Sequence, residues 1–359
     1  MSLRPCLRNP LLRRISPLSR AYAVQTPGNP TLEVFNRRTK LLQKDRAAKN
    51  VDTSRQVDYL KDEVAMRLSD RLLVGYLRHR HTIALLILYH SLLMDLECCN
   101  IARALTSTPI SNGEGGASTR TDETVADRIS KITCIEESRS LLYRDKSLPF
   151  NSQISITREV IPSIENLPYE PNTFDAVLSS LSMHWINDLP SLLAQVNSIL
   201  KPDSPFMAVM FGGDTLFELR TSLQLADLER RGGVSPHVSP LADVRDIGGL
   251  LTKAGFKLLT VDVEDIVVEY PDTFALMSDL QAMGESNAIL RREAGPISRD
   301  VLLANEAIYR SLHTEEGERN IPATFRLIYM IGWKEGEGQS KPLERGSGQF
   351  NLKDIIGSE

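Results

Sequence analysis

Six short apolar runs, Lys131 to Glu136, Gln153 to Thr157, Phe174 to Ser180, Pro205 to Phe211, Phe256 to Val263 and Thr324 to Trp333, alternate with helical patterns along this chain. That alternation constrains the fold more than any other feature, because strands joined by helix-length crossovers form a parallel sheet whose two faces must both be covered. Between the third and fourth runs, Leu189, Leu192, Leu193, Val196, Ile199 and Leu200 fall on one helical face. Asp188 can cap that helix, Pro190 suits its first turn, and Pro202 stops it. A second helix is expected over Leu241 to Ala254, closed by Gly255, which can take the left-handed conformation of a C-cap. A longer helical insertion, Tyr270 to Arg310, precedes the last strand. In an open sheet of this kind a ligand binds past the carboxyl ends of the strands, so the residues that matter should follow strands.

The remaining sequence arranges itself around that sheet. Residues 1–30 carry Arg4, Arg8, Arg13, Arg14 and Arg20 and no Asp or Glu, the make-up of a mitochondrial transit peptide; a merely basic tail is the alternative. Residues 31–73 read as N-terminal helices, and 74–335 as the main domain. Within it, 106–124 is rich in Ser, Thr and Gly and reads as a disordered surface insertion, while 336–359 reads as a flexible tail. The apolar stretch Thr82 to Leu93 is shorter than the roughly 20 residues a membrane span needs, which leaves a soluble matrix protein, at most peripheral to the inner membrane. A net charge of -4 gives no electrostatic reason to bind nucleic acid. Cys6, Cys98, Cys99 and Cys134 contain no C-x-x-C pair, so neither a disulfide framework nor a structural zinc is suggested.

Several motifs fall where a ligand would sit. Glu136 ends a strand, where a carboxylate can accept both hydroxyls of a ribose. The segment Ser163-Ile164-Glu165-Asn166-Leu167-Pro168-Tyr169-Glu170-Pro171-Asn172-Thr173-Phe174-Asp175 resembles the run of class I S-adenosylmethionine (SAM)-dependent methyltransferases whose loop contacts the adenine, with Ser163 and Ile164 in place of an acid and a small residue. Next comes Leu181-Ser182-Met183-His184-Trp185-Ile186-Asn187-Asp188, whose H-W dipeptide sets an imidazole and a flat ring just past a strand; a structural histidine is the alternative. Leu200-Lys201-Pro202-Asp203-Ser204 resembles the family's L-K-P-G-G turn. The glycine-rich loop that should open the donor site is missing: the matching stretch, Leu92 to Leu105 with Asp95 as its acid, has no glycine. Two explanations stay open, an inactive donor site or a misjoined gene model around 74–99, and the otherwise intact sheet favours the second.

From Val34 to Trp333 the chain resembles the mitochondrial methyltransferase-like assembly factors of respiratory complex I, and more distantly the malonyl carrier-protein O-methyltransferases. Its most specific segments are Val34 to Lys40, Tyr59 to Ala65, Phe174 to Leu189, Met210 to Arg220 and Gly232 to Pro240. The resemblance implies a Rossmann-like class I SAM-dependent methyltransferase fold with a mostly parallel seven-stranded sheet, and SAM as cofactor. It implies donor-side residues Asp95, Glu136, Ile164, Glu165, His184 and Trp185, and a partner in a core subunit of complex I on which an arginine is hydroxylated. Phe211, Gly212, Gly213, Asp214 and His237 follow the fifth strand of such a sheet and are expected to line the substrate cleft, Asp214 to pair with a guanidinium and His237 to take a proton; turn and cap roles are the alternatives. No catalytic residue is singled out. No metal site is expected either, since the one H-x-E spelling, His313-Thr314-Glu315, falls in a polar loop. Two other readings remain: an O-methyltransferase of a small molecule or carrier protein, and a non-catalytic assembly chaperone on the same fold. On all three, Glu136 and the His184–Trp185 pair are expected to face one nucleoside-shaped crevice.

Overall fold

The computed structural model describes residues 33–75, 83–88, 104–105, 129–290, 295–315 and 317–339. The expected transit peptide, Asp95 and its neighbours, the 106–124 insertion and the tail beyond 339 lie outside the described residues. Seven strands form one sheet: β1 (Ile83–Leu88), β2 (Ile129–Glu136), β3 (Ile156–Val160), β4 (Ala176–Ser180), β5 (Pro205–Phe211), β6 (Phe256–Tyr270) and β7 (Ile321–Lys334). Their order across the sheet is β3-β2-β1-β4-β5-β7-β6. The first five are parallel, and β7 runs antiparallel to both β5 and β6. The chain reverses direction across the sheet between β1 and β4, which is where crevices form in doubly wound folds.

Three helices precede the sheet, α1 (Arg37–Lys49), α2 (Val51–Gln56) and α3 (Tyr59–Gly75), followed by the short α4 (Arg139–Leu142) after β2. Leu60, Val64, Leu68 and Leu72 of α3 recur at helical spacing and are at most 2% exposed, so the lead-in segment is part of the core. Each such side chain contributes about 1.5–3 kcal/mol by burial. Between β4 and β5 lies α5 (Leu189–Ile199), with Asp188 accepting from the Ser191 backbone N–H and Pro190 in the first turn, as the sequence predicts. Its Leu192, Leu193, Val196 and Ile199 pack in one cluster with Ile247 and Leu251 of α7 (Val244–Lys253). On the other face α6 (Phe217–Arg231), α8 (Thr273–Ala282) and α9 (Arg299–His313) cover β5 and β7 with Leu219, Leu223, Leu276 and Val301.

The structure moves several expected boundaries. The run Gln153 to Thr157 is displaced: a 3-10 turn at Pro149–Ser152, closed by Gln153, delays β3 until Ile156. Helix α7 begins three residues late, because Asp243 caps it at the Arg245 N–H. Tyr270 ends β6 rather than opening a helix, since β6 pairs with β7 all the way to Ile321. The helical insertion is therefore α8 and α9, with a non-helical stretch around 285–290 between them. His313 closes α9 against Tyr309 and Phe217 instead of lying in a loop. Cys134, fully buried on β2, is disulfide-bonded, a cross-link that cysteine spacing did not suggest; the other three cysteines lie outside the described residues.

Candidate functional site

The strand tips carry the polar chemistry. After β4 the backbone turns through Leu181 at φ 41°, a left-handed conformation, into a 3-10 turn at Met183–Trp185. That turn buries both His184 and Trp185. Their rings lie 5.4 Å apart, and His184 sits 4.9 Å from the ring of Phe211 at the end of β5. Glu285, in the stretch after α8, binds the pair: its Oε2 accepts from Trp185 Nε1 at 3.0 Å and lies 3.4 Å from His184 Nε2. A buried indole N–H needs such a partner, so the dipeptide and the 283–290 segment fix one another.

The N-terminal segment closes over the same pair. Asn187 Oδ1 accepts from the backbone N–H groups of Val34 and Phe35, each at 2.9 Å, while its Nδ2 donates to Phe35 O. Phe35 meets Trp185 edge-on at 5.0 Å. The Lys40 ammonium sits 3.1 Å from the Trp185 ring centroid and donates to Ser286 O at 2.7 Å, a cation–π contact with its charge otherwise solvated by carbonyls.

One turn further along α1, Lys44 reaches Glu136. Lys44 Nζ donates to Glu136 Oε1 at 2.5 Å, and the same oxygen accepts from the N–H groups of Glu137 and Ser138. Glu136 is completely buried, and burial outweighs these donors in pushing its carboxyl above the usual range. Its Oε2 has no partner among the described residues. Next to it, Glu137 is paired with Arg37 and accepts from the Ile164 N–H at 2.8 Å. Ile164 is fully buried, and Glu165 accepts from the Asn187 N–H at 3.0 Å. Both therefore brace the loop that carries His184 and Trp185.

A cavity of about 620 Å³, within the usual range for small-ligand sites, adjoins the pair. His184, Trp185, Phe211, His237, Phe274 and Glu285 are among its lining residues. His237 Nε2 lies 2.7 Å from Asp227 Oδ2, which also accepts from the Ser235 N–H. Asp227 is 1% exposed on α6, so it orients the imidazole without entering the cavity.

The expected site is thus split. His184, Trp185, Phe211 and His237 come together around the cavity, whereas Glu136, Ile164 and Glu165 do not line it. Among the described residues, Lys44 of α1 meets the Glu136 carboxylate and Lys40 of the same helix the Trp185 indole, while residues 89–103, which follow β1, lie outside the description. Asp214 does engage a guanidinium, but that of Arg326 in this chain, which Asp265 also holds; it does not line the cavity. Gly212 serves packing: a Cβ there would lie 2.9 Å from Ile328 Cγ1 on β7. Gly213 donates its N–H to Ala242 O at 3.1 Å, fixing the lead-in to α7. Sequence reasoning missed Glu285 and Asp227, for which no local pattern speaks. It also missed Lys40 and Lys44, although the specific segment Val34 to Lys40 contains the first of them.

The strand order, the antiparallel β7 and the helices on both faces define a class I SAM-dependent methyltransferase fold, and a family model described as "Methyltransferase domain" matches residues 112–208. Among curated proteins, the chain is 42% identical over 326 residues to the human mitochondrial arginine-hydroxylase NDUFAF5, covering 90% of this chain and 84% of that one. It is 31% identical over 223 residues to a malonyl-[acyl-carrier protein] O-methyltransferase of Laribacter hongkongensis, covering 60% of this chain and 72% of that one. A solved structure, the YcgJ protein from Bacillus, is similar with a TM-score of 0.45 at 11% identity, over 75% of this chain and 98% of that one. The chain belongs to the family of the mitochondrial arginine-hydroxylase NDUFAF5.

Proposed function

We propose that this chain is a mitochondrial matrix protein that binds SAM and acts in the assembly of NADH:ubiquinone oxidoreductase (complex I), hydroxylating an arginine on a core subunit. One observation carries this reading. The segments Val34 to Lys40, Phe211 to Arg220 and Gly232 to Pro240, which carry the resemblance read from the sequence, all reach either the His184–Trp185 pair or the cavity beside it. Segments so far apart in the chain converge on one place because they serve one site. No helix among the described residues is long and apolar enough to cross a membrane.

The residues fit the cofactor at the β2 tip. Glu136 Oε2 is a buried acceptor without a partner among the described residues, the group that a ribose hydroxyl satisfies. Ile164 would wall the adenine side, while Glu165 holds the loop behind Trp185 rather than the nucleoside. SAM supplies an electrophilic methyl group when bound. In the acceptor cavity Phe211 and Trp185 would exclude water, and His237, its Nε2 held by Asp227, would take up or release a proton at Nδ1.

Two measurements test this. The full chain should melt higher with SAM or S-adenosylhomocysteine, and no stabilisation by either defeats the donor reading. A candidate core subunit incubated with the chain should then gain one oxygen by intact mass. Gain of one carbon and two hydrogens would instead establish methylation, the reading favoured by the likeness to the Laribacter hongkongensis protein. Absence of any mass change alongside stable binding of the subunit would establish a chaperone, which the glycine-free stretch Leu92 to Leu105 favours.

A further inference from the structure

Among the described residues, four ionisable side chains line the cavity: Arg231, Glu285, His184 and His237. Arg231 is paired with Asp227 at 3.6 Å, and the same aspartate holds His237 Nε2 at 2.7 Å. Glu285 is engaged by Trp185 Nε1 and His184 Nε2. His184 differs from the others in having one ring nitrogen engaged and one not. Its Nδ1 is buried without a hydrogen-bond partner, and no other lining residue carries such an atom among the described residues. The side chain is 1% exposed, so bulk water does not satisfy that nitrogen. Orphaned buried polar atoms are rare in native proteins, because each keeps its desolvation penalty and gains nothing in return. Which proton the ring carries follows from its neighbour. An ionised carboxylate only accepts, so the nitrogen facing Glu285 Oε2, Nε2 at 3.4 Å, is the one that bears hydrogen. Nδ1 of the neutral ring then keeps its lone pair. Packing against Trp185 and Phe211, with ring centres 5.4 and 4.9 Å away, holds the imidazole in place.

We propose that His184 Nδ1 is the hydrogen-bond acceptor for the substrate in this cavity, receiving an N–H of the group to be modified. Glu285 is the positioning residue that keeps the ring proton on Nε2. This rests on reading the cavity as the acceptor cleft, but not on the identity of the donor or of the protein substrate. The ligand class is a planar N–H donor such as a guanidine or a urea, which stacks on neighbouring rings while it donates in its own plane. The lining carries one cation, Arg231, and one carboxylate, Glu285, so it favours neither sign of charge, and His184 reads the N–H itself.

The test uses full-length protein isotope-labelled at its histidine ring nitrogens and two planar probes with N–H donors, methylguanidinium, a cation, and methylurea, which is neutral. Nitrogen NMR separates a protonated ring nitrogen from a bare one, and the His184 signals are those lost on substituting His184. In the unliganded protein Nδ1 should read as bare and Nε2 as protonated, and a probe should move the Nδ1 signal toward that of a hydrogen-bonded acceptor. Two substitutions separate binding from structure, because Asn places an amide oxygen near the position of Nδ1 whereas Gln reaches the position of Nε2. His184→Asn should keep probe affinity within about threefold of wild type, and His184→Gln, which can still donate to Glu285, should lose at least about tenfold. A merely structural histidine predicts the reverse order. A protonated Nδ1 in the free protein, an Nδ1 signal moved by neither probe, or His184→Gln binding as well as wild type each overturns the assignment. Movement by both probes supports it; movement by one alone supports it and narrows the class to guanidines or to neutral amides. The wild-type spectra decide even if a variant does not fold. A candidate complex I subunit that gains no mass on the same protein, with the Nδ1 response intact, would strike the proposed activity alone.

Discussion

Replacing Lys44 with methionine would remove the cation from the most enclosed ion pair of the described structure and leave Glu136 in place. Lys44 Nζ and Glu136 Oε1 are 2.5 Å apart, and neither side chain is more than 1% exposed. Breaking a buried pair from one side costs about 3–5 kcal/mol, because the remaining charge keeps its desolvation penalty and loses its compensation. Here two backbone N–H groups, at 2.8 and 3.0 Å, stay on the same oxygen, so the lower end, about 3 kcal/mol, is expected. Urea unfolding gives the number as a fall in midpoint at constant slope. The penalty should also depend on pH. Burial holds Glu136 above its ordinary value of 4.5, and loss of Lys44 raises it further. A carboxyl raised in the folded state lends stability that is whole below its unfolded value and lost as pH climbs through the folded one. The Lys44→Met penalty should therefore be largest near neutrality and shrink as pH is lowered toward 4.5. Adding Glu136→Gln should recover most of it, since an uncharged pair has little desolvation to offset. A single-variant cost below about 1 kcal/mol, as at exposed pairs, would refute the claim that α1 is clamped to the sheet by a dehydrated charge.

Three further outcomes follow from the same geometry. Asp227→Asn should lower turnover by about tenfold or more while leaving the S-adenosylhomocysteine melting shift unchanged, because Asp227 orients His237 from outside the cavity. Unaltered turnover would show His237 to be structural. Gly212→Ala should destabilise by about 1–3 kcal/mol, its Cβ lying 2.9 Å from Ile328 Cγ1, without affecting ligand-induced shifts in melting. Wild-type stability would exclude the close β5–β7 contact. Burial holds the His313 imidazole below its ordinary 6.5, so the unfolded chain binds this proton more readily and stability should fall as pH drops from 6.5 through the lower folded value. His313→Gln should flatten that part of the urea-midpoint curve, and an unchanged slope would remove His313 as its source.

Family membership and the cavity together explain why the N-terminal helices belong with the domain. Val34 to Lys40 has no place in the sheet, yet it pairs with the stretch after α8, through Asn36 N–H to Ala288 O at 2.8 Å and Leu290 N–H to Val34 O at 2.9 Å. Each of these two segments supplies a partner to Trp185, Lys40 from one and Glu285 from the other. Mutations in either should therefore register at the same ring.

What the sequence determined by itself is what depends on periodicity and local chemistry. The buried strands β4 and β5 are short apolar runs, and α5 announces itself by one apolar face with Asp188 and Pro190 at its start. The position of His184 and Trp185 past β4 follows from the same local logic, since a strand end fixes where the next side chains emerge. Tertiary structure alone decided the partners. A carboxylate at a strand tip reads the same whether a ribose or a lysine meets it, and only the docking of α1 puts Lys44 on Glu136. Likewise Asp214 found Arg326 across the sheet, and Glu285, from a stretch with no pattern, became the acid of the cavity. Charge pairing acts over a few ångströms in space with no regard to separation along the chain, so it leaves no period for a sequence to reveal.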